Sequence, residues 1–322
     1  MPAPLRISHL VVEAWAPDYG ASVADELDDT TARVTCDAEL APADWRPLGQ
    51  PDGAVPHRVG VIDGVQRTDA NVWVVVEAAS GAQQLPVQAL CASVAAGLAI
   101  CEPGLAHIAD VQVRRYAVSH EALPSIETSH GAWATKQPTS VKQQLEAVAH
   151  QAMTDLERLV VAQAVEAGVV FDLLILDGPI RTLGMPSHTV GSIKTHSRAY
   201  LPDELQRVLA ALAPAERTPM FRIEQQDDPQ RTRWSAYLRL GRRVAHGWDG
   251  IVRLEIPGEL AIVEAVETAN RAQLALPGLA SEPFKDARAP QNLVPIGALE
   301  TVLRHRLGDA TLCLRALQSA AR

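Results

Sequence analysis

The sequence predicts an α/β fold, on three observations taken in chain order. Short β-branched segments separated by turn-type residues come first, a long amphipathic helix follows, and a nearly continuous apolar strand comes after it. The first strand signal is RVGVIDGVQR, an apolar run closed by Asp-Gly, which reads as a strand ending in a turn. NVWVVVEAAS is short and β-branched and reads as its hairpin partner. A small-residue run, Cys91–Cys101, separates this pair from DVQVRRYAVS, whose alternation predicts a third strand. Turn-type links between the three suggest an antiparallel meander.

The stretch 139–168 is the clearest helix. Val141, Leu145, Val148, Ala152, Leu156 and Val160 recur at spacings of three and four, and Gly168 provides a C-terminal stop. VVFDLLILDGPI then reads as a central strand buried on both faces. Meander, long helix and buried central strand is the order of an RNase H-like core, a mixed sheet flanked by helices. Further elements follow: LPDELQRVLAALA as a helix (201–213), RTRWSAYLRL and DGIVRLEIP as strands ended by Gly241 and Pro257, ELAIVEAVETANRAQLAL as a second long helix, and a terminal helix broken at Gly308. Segment 279–295, rich in Pro and Ala, reads as a loop. Residues 1–57 form a leading segment with a helix-like stretch from Val11 to Leu27, a candidate for dimer or partner contact, and 58–322 form the main domain with extra C-terminal elements.

Composition narrows the function. The chain of 322 residues carries 47% hydrophobic and 21% charged residues, the profile of a folded protein. A net charge of −9 argues against a protein that coats DNA through phosphate neutralisation, and confines any nucleic-acid path to a local channel or to a partner. The four cysteines show no CxxC spacing, so buried free thiols are expected. The N-terminus lacks a signal-peptide core, and the longest apolar stretch, about twelve residues from Leu90, is too short to cross a bilayer. The expected setting is the cytoplasm, with no membrane.

Asp63 and Asp177 stand in matching contexts, VGVIDG and LLILDG. A carboxylate at the end of a buried strand is costly unless solvated, paired or bound to a cation, and the following glycine lets the backbone turn away. If the two strands are neighbours, the acids converge and a divalent ion relieves their repulsion. Taken singly, each Asp-Gly also reads as a plain turn. Glu157 joins them: with Met153 four residues before, Leu156 beside it, and Val160 and Val161 after, it lies on an apolar flank of the helix. Its alternatives are a boundary glutamate reaching water or pairing with Arg158, and Glu166 is the rival third acid. Lys194, in VGSIKTHSRAYLP, can offset the acids or hold a phosphate as a point charge; His196 is more ordinary.

The ordered series VIDG, LLILDGP, SIKTHSRAYLP, WSAYLRL and IVRLEIP resembles NurA-domain nucleases over roughly residues 58–315. The resemblance implies an RNase H-like fold, a homodimer, and a manganese- or magnesium-dependent nuclease. It further implies 5′–3′ exonuclease and single-strand endonuclease activity in DNA end resection and double-strand break repair, beside a HerA-type hexameric ATPase. By position it makes Asp63, Glu157 and Asp177 metal-binding acids and Lys194 the site lysine. The family's C-terminal Tyr and His fall on Asn292 and Glu300 of PQNLVPIGALE. Glu300 replaces the histidine as an oxygen ligand or serves only the helix dipole, and His305 is a weaker candidate. Two divalent ions held by Asp63, Glu157, Asp177 and Glu300 would then activate water and stabilise the leaving oxygen. Arg233, Trp234, Tyr237 and Arg239 form a basic and aromatic cluster suited to guiding a single strand of DNA, or are plain strand residues. Two other readings stand beside the nuclease. One is a non-catalytic adaptor of a DNA translocase. The other is an ATP-using enzyme of the sugar-kinase type, for which AASGAQQ (78–84) is a poor phosphate loop.

Overall fold

The computed structural model describes residues 23–29, 32–74, 86–180, 184–224, 232–242, 248, 250–282 and 289–320. Most of the predicted helix-like stretch Val11–Leu27 and the segment AASGAQQ lie outside them. The chain divides into two compact units. The first takes Met1–Pro56, Ile175–Ile180 and Ser187–Val294, and the second takes His57–Leu174, Arg181–Pro186 and Pro295–Arg322. A strand, β8 (Leu173–Asp177), begins in the second and ends in the first.

The second unit is built on a long meander. Strands β3 (Val59–Val74), β4 (Val87–Glu102) and β5 (Leu105–Val118) pair antiparallel. Strand β7 (Gly131–Lys136) adds parallel to β5, and β6 (Ile126–Thr128) pairs antiparallel with β7. The meander agrees with the sequence, but its strands are drawn differently. Asp63-Gly64 does not end a strand: β3 runs through it and takes up the first four residues of the predicted hairpin partner, with a register shift only between Thr68 and Ala70. The small-residue run Cys91–Cys101 is the middle of β4. It is buried on both faces, so alternation vanishes and small apolar residues fill both sides.

Helix α1 (Leu145–Glu166) covers one face of this sheet through Val148 and Ala149, which pack on Leu90, Ala92 and Val118. Gly168, at φ 87°, follows its end as the sequence indicates. The other face carries α4 (Val294–Arg306) and α5 (Ala310–Ala320), separated at Gly308, φ 79°, with Cys313 and Leu317 packing on Cys91, Ala117 and Trp133. Helix α4 begins inside the segment expected to be a loop.

The first unit has its own antiparallel series, β2 (Arg33–Thr35), β11 (Phe221–Glu224), β12 (Arg233–Arg239), β13 (Ile251–Pro257) and β9 (Thr189–Ile193). Its β1 (Val23–Asp29) pairs parallel with β10 (His196–Ala199). The leading segment therefore does not stand apart: β2 extends this sheet at β11. Helix α2 (Asp203–Ala211) packs Leu205, Val208 and Leu209 against Trp45, Phe221 and Tyr237, and α3 (Ile262–Leu279) packs on β12, β13 and β9. The fold is mixed α/β. The four cysteines are free, and Cys91, Cys101 and Cys313 are buried. No helix among the described residues is long and apolar enough to cross a membrane.

Candidate functional site

In the second unit, residues 63 and 64 of β3 face opposite ways. Asp63 lies opposite Gly97 of β4, and a side chain on Gly97 would meet Leu299 and Leu303 of α4. Gly64 faces α1: a side chain there would begin 2.6 Å from Oε1 of Glu157 and 2.8 Å from Cγ of Met153. Glycine leaves room here for the Glu157 carboxylate and the Met153 side chain, which an added Cβ would push aside. The carboxylate of Asp63 turns back along the strand, its Oδ1 accepting the N–H of Gly64 at 2.8 Å. Asp63 is only 8% exposed. Gly64 thus has an acid on each side, Asp63 bonded to its N–H and Glu157 lying over its Cα on the α1 face. Glu166, the rival acid, is exposed in the last turn of α1.

In the first unit, Asp177 ends β8 and Gly178, at φ 102°, turns the chain away; of the two Asp-Gly pairs the sequence reads as strand ends, only this one is. Nζ of Lys194 lies 2.8 Å from each of its carboxylate oxygens. The side chains retain only 14% and 20% exposure, so the pair is screened less than a surface ion pair. Of the lysine's two expected roles, the offsetting of an acid is the one seen.

The predicted DNA-guiding cluster is corrected. Arg233, Trp234, Tyr237 and Arg239 are 8%, 6%, 1% and 1% exposed, so no strand of DNA reaches them in this fold. Their polar groups serve the protein: Arg233 donates to the carbonyl of Ile180, Trp234 Nε1 to that of Leu260, and Arg239 Nε to that of Leu212. Arg222 covers the face of Trp234. Burial pushes the Tyr237 hydroxyl up to about 12. These residues lie together in sequence, but every residue of β12 is buried, so both faces of the strand are covered.

The carboxylate of Glu300 pairs with Arg304 one turn along α4 at the surface, and His305 is exposed. Asn292 lies on the other unit's side of the division, its carbonyl accepting the N–H of Ser281. His196 is a core residue. Its Nε2 meets the carbonyl of Ile251 at 3.1 Å, its ring packs on Tyr237 and Trp248, and burial pushes its pKa down to about 4.

No protein-family model matches the sequence, and no curated protein matches it. Solved structures do show likeness. The NurA nuclease from Sulfolobus solfataricus is similar at 10% identity and a TM-score of 0.43, over 82% of this chain and 84% of that one. The catalytic domain of human endonuclease V is similar at 16% identity and a TM-score of 0.34, over 84% of this chain and 92% of that one. A second structure of human endonuclease V stands at 15% identity and the same TM-score, over 81% and 92%.

Sequence reasoning missed Glu255 and Arg253. Both lie in IVRLEIP, a strand in which every residue is buried, and their Nη1–Oε1 contact is 2.7 Å. Two charges inside an otherwise apolar strand were the available signal. Asp69 was missed as well: it accepts from Arg67, Ser93 and Trp133 on the α5 face of β3.

Proposed function

We propose that the chain is a metal-dependent DNA nuclease, and the observation that supports this reading is the placement of two acids, Asp63 and Glu157, beside Gly64 in the largely buried first half of β3. A divalent cation held between the two carboxylates would offset their like charge. Among the described residues, no group of three or more His, Cys, Asp or Glu side chains is arranged to hold a metal ion. Magnesium and manganese do not need one. Magnesium in particular keeps several waters and takes one or two carboxylates with the substrate's phosphate completing its shell, so the oxygen donors of Asp63 and Glu157 fit such an ion. A divalent cation there would supply Lewis-acid stabilisation of the charge that develops on a phosphodiester and a more acidic bound water.

The remaining work belongs to the chain's own groups. Glu157 is carried on a rigid helix, and the missing side chain of Gly64 lets it approach the strand. Gly64 N–H orients the carboxylate of Asp63. Within the first unit, Lys194 holds the carboxylate of Asp177 by an ion pair. On the resemblance set out above, two copies of the chain act together, and a HerA-type hexameric ATPase delivers the DNA end for resection.

Manganese and labelled linear DNA test the reading in one assay. The wild-type chain is expected to degrade the DNA with manganese and not with chelator, while Asp63→Asn and Glu157→Gln fold normally and lose cleavage by at least about a hundredfold. Equal activity in either variant refutes the assignment. Absence of cleavage by the wild type with any divalent ion favours the adaptor reading.

A further inference from the structure

The turn after Asp177 is held by a buried device within the first unit. Gly178 donates its N–H to the carbonyl of Ser192 on β9 at 2.9 Å, and its own carbonyl lies against Gly191, where a side chain would begin 2.5 Å away. The turn therefore rests directly on the β9 backbone. Two residues on, both polar groups of buried Ile180 are taken by side chains. Its N–H donates to Oε2 of Glu255 at 3.2 Å. Its carbonyl accepts Nε and Nη2 of Arg233 at 3.0 and 2.8 Å.

Glu255 and Arg233 are placed for this by register. Gly191, Glu255 and Ser235 are cross-strand partners in one row over β9, β13 and β12, and Arg233 lies two residues along the same face. The other oxygen of Glu255 accepts Arg253 Nη1 at 2.7 Å, and the Arg253 guanidinium lies 4.7 Å from the ring centre of Tyr200. Glu255 and Arg233 are 7% and 8% exposed. Apolar residues of similar volume commonly serve stability as well as a buried ion pair does. They would leave the Ile180 peptide without partners, so the charges are explained by the turn they hold.

We infer that Arg233 and Glu255 are positioning residues that fix the Asp177 carboxylate by clamping the Gly178–Ile180 turn. The inference rests on the nuclease reading for its consequence in catalysis, but the clamp itself is independent of that reading. It also gives Arg233 a role in place of the DNA contact its sequence suggested.

The experiment compares Arg233→Lys, Arg233→Met and Glu255→Gln with the wild-type chain. Three readouts are taken: manganese-dependent cleavage of linear DNA, thermal midpoint, and the side-chain ammonium resonance of Lys194, identified by its loss in Lys194→Met. Lysine offers one point donor in place of the two nitrogens of Arg233, and glutamine must turn an N–H towards either Arg253 or Ile180. Arg233→Met and Glu255→Gln are expected to lower kcat on the order of 10- to 100-fold with KM for DNA unchanged. Their Lys194 resonance should shift or broaden at a near-native midpoint, with Arg233→Lys in between. Should Arg233→Met fail to fold, the other two variants decide. A raised KM with kcat retained would make Arg233 a DNA contact and overturn the inference, as would an unmoved Lys194 resonance in folded variants. Asp177→Asn separates the two claims: if it cleaves DNA normally, Asp177 has no part in catalysis, while the Lys194 resonance still decides the clamp.

Discussion

At the scale of single residues, Gly64 and His196 each make a measurable claim. Gly64→Ala places a methyl where Glu157 and Met153 already stand, a crowding that typically costs about 1–3 kcal/mol. Urea unfolding should register that loss, and cleavage should fall with it because Glu157 is displaced. A variant as stable and active as the wild type would mean that Glu157 has room elsewhere. For His196 the sign follows from burial. Its folded pKa of about 4 lies below the usual 6.5, so the folded chain favours the neutral ring. The stabilisation is complete above pH 6.5 and is lost as pH falls towards 4, by roughly 3 kcal/mol in total. His196→Phe keeps an aromatic ring, and the Ile251 carbonyl still accepts Gln291. Thermal midpoints of this variant should fall less steeply with acidity over that interval; a slope equal to the wild type's would assign the acid sensitivity to other groups. At this scale the sequence was legible where a residue's neighbours in the chain determine its environment. Glu157 on an apolar helix flank and Asp177-Gly178 at a strand end are such cases. It was opaque where environment comes from residues far apart: Glu255 acquires its role from Ile180, seventy-five positions away.

At the scale of elements, periodicity located α1 and an unbroken apolar run located β8, while α2, β12, β13 and α3 were read from less regular sequence. Periodicity failed on β4, where burial on both faces erases alternation, and on β3, where Asp-Gly mimics a turn inside an unbroken strand. The break at Gly308 was readable, but its anchor was not. Arg67 of β3 donates to the carbonyls of Gly308 and Leu307 while also pairing with Asp69, whose side chain is fully buried. Arg67→Met therefore removes a staple between β3 and the α4–α5 junction and leaves a buried carboxylate without its cation. Loss of one partner of a buried pair typically costs about 3–5 kcal/mol, more than the double change Arg67→Met with Asp69→Asn is expected to cost. Chemical denaturation of the two variants checks the order; equal stabilities would remove Arg67 from the fold's support.

At the scale of the whole molecule, the acidic balance was the most informative number in the sequence. The one basic and aromatic cluster proposed for DNA is buried, so neither composition nor that cluster provides an extended phosphate-binding face. The isolated chain should bind linear DNA weakly, with a shallow dependence of log Kd on log salt, fewer than about three phosphate contacts' worth. A steep slope would reveal a basic path that the account lacks. The division into two units, with β8 entering one from the other, was not readable, because the first unit gathers three separated stretches of chain. Metal-dependent cleavage by this chain requires Asp63 and Glu157 to hold a cation. Its most direct test is a crystal of the chain grown with manganese and measured for anomalous scattering. A manganese peak within coordination distance of both carboxylates beside Gly64 is expected, and a map with no peak there, at manganese concentrations that fill other sites, would rule out the metal site.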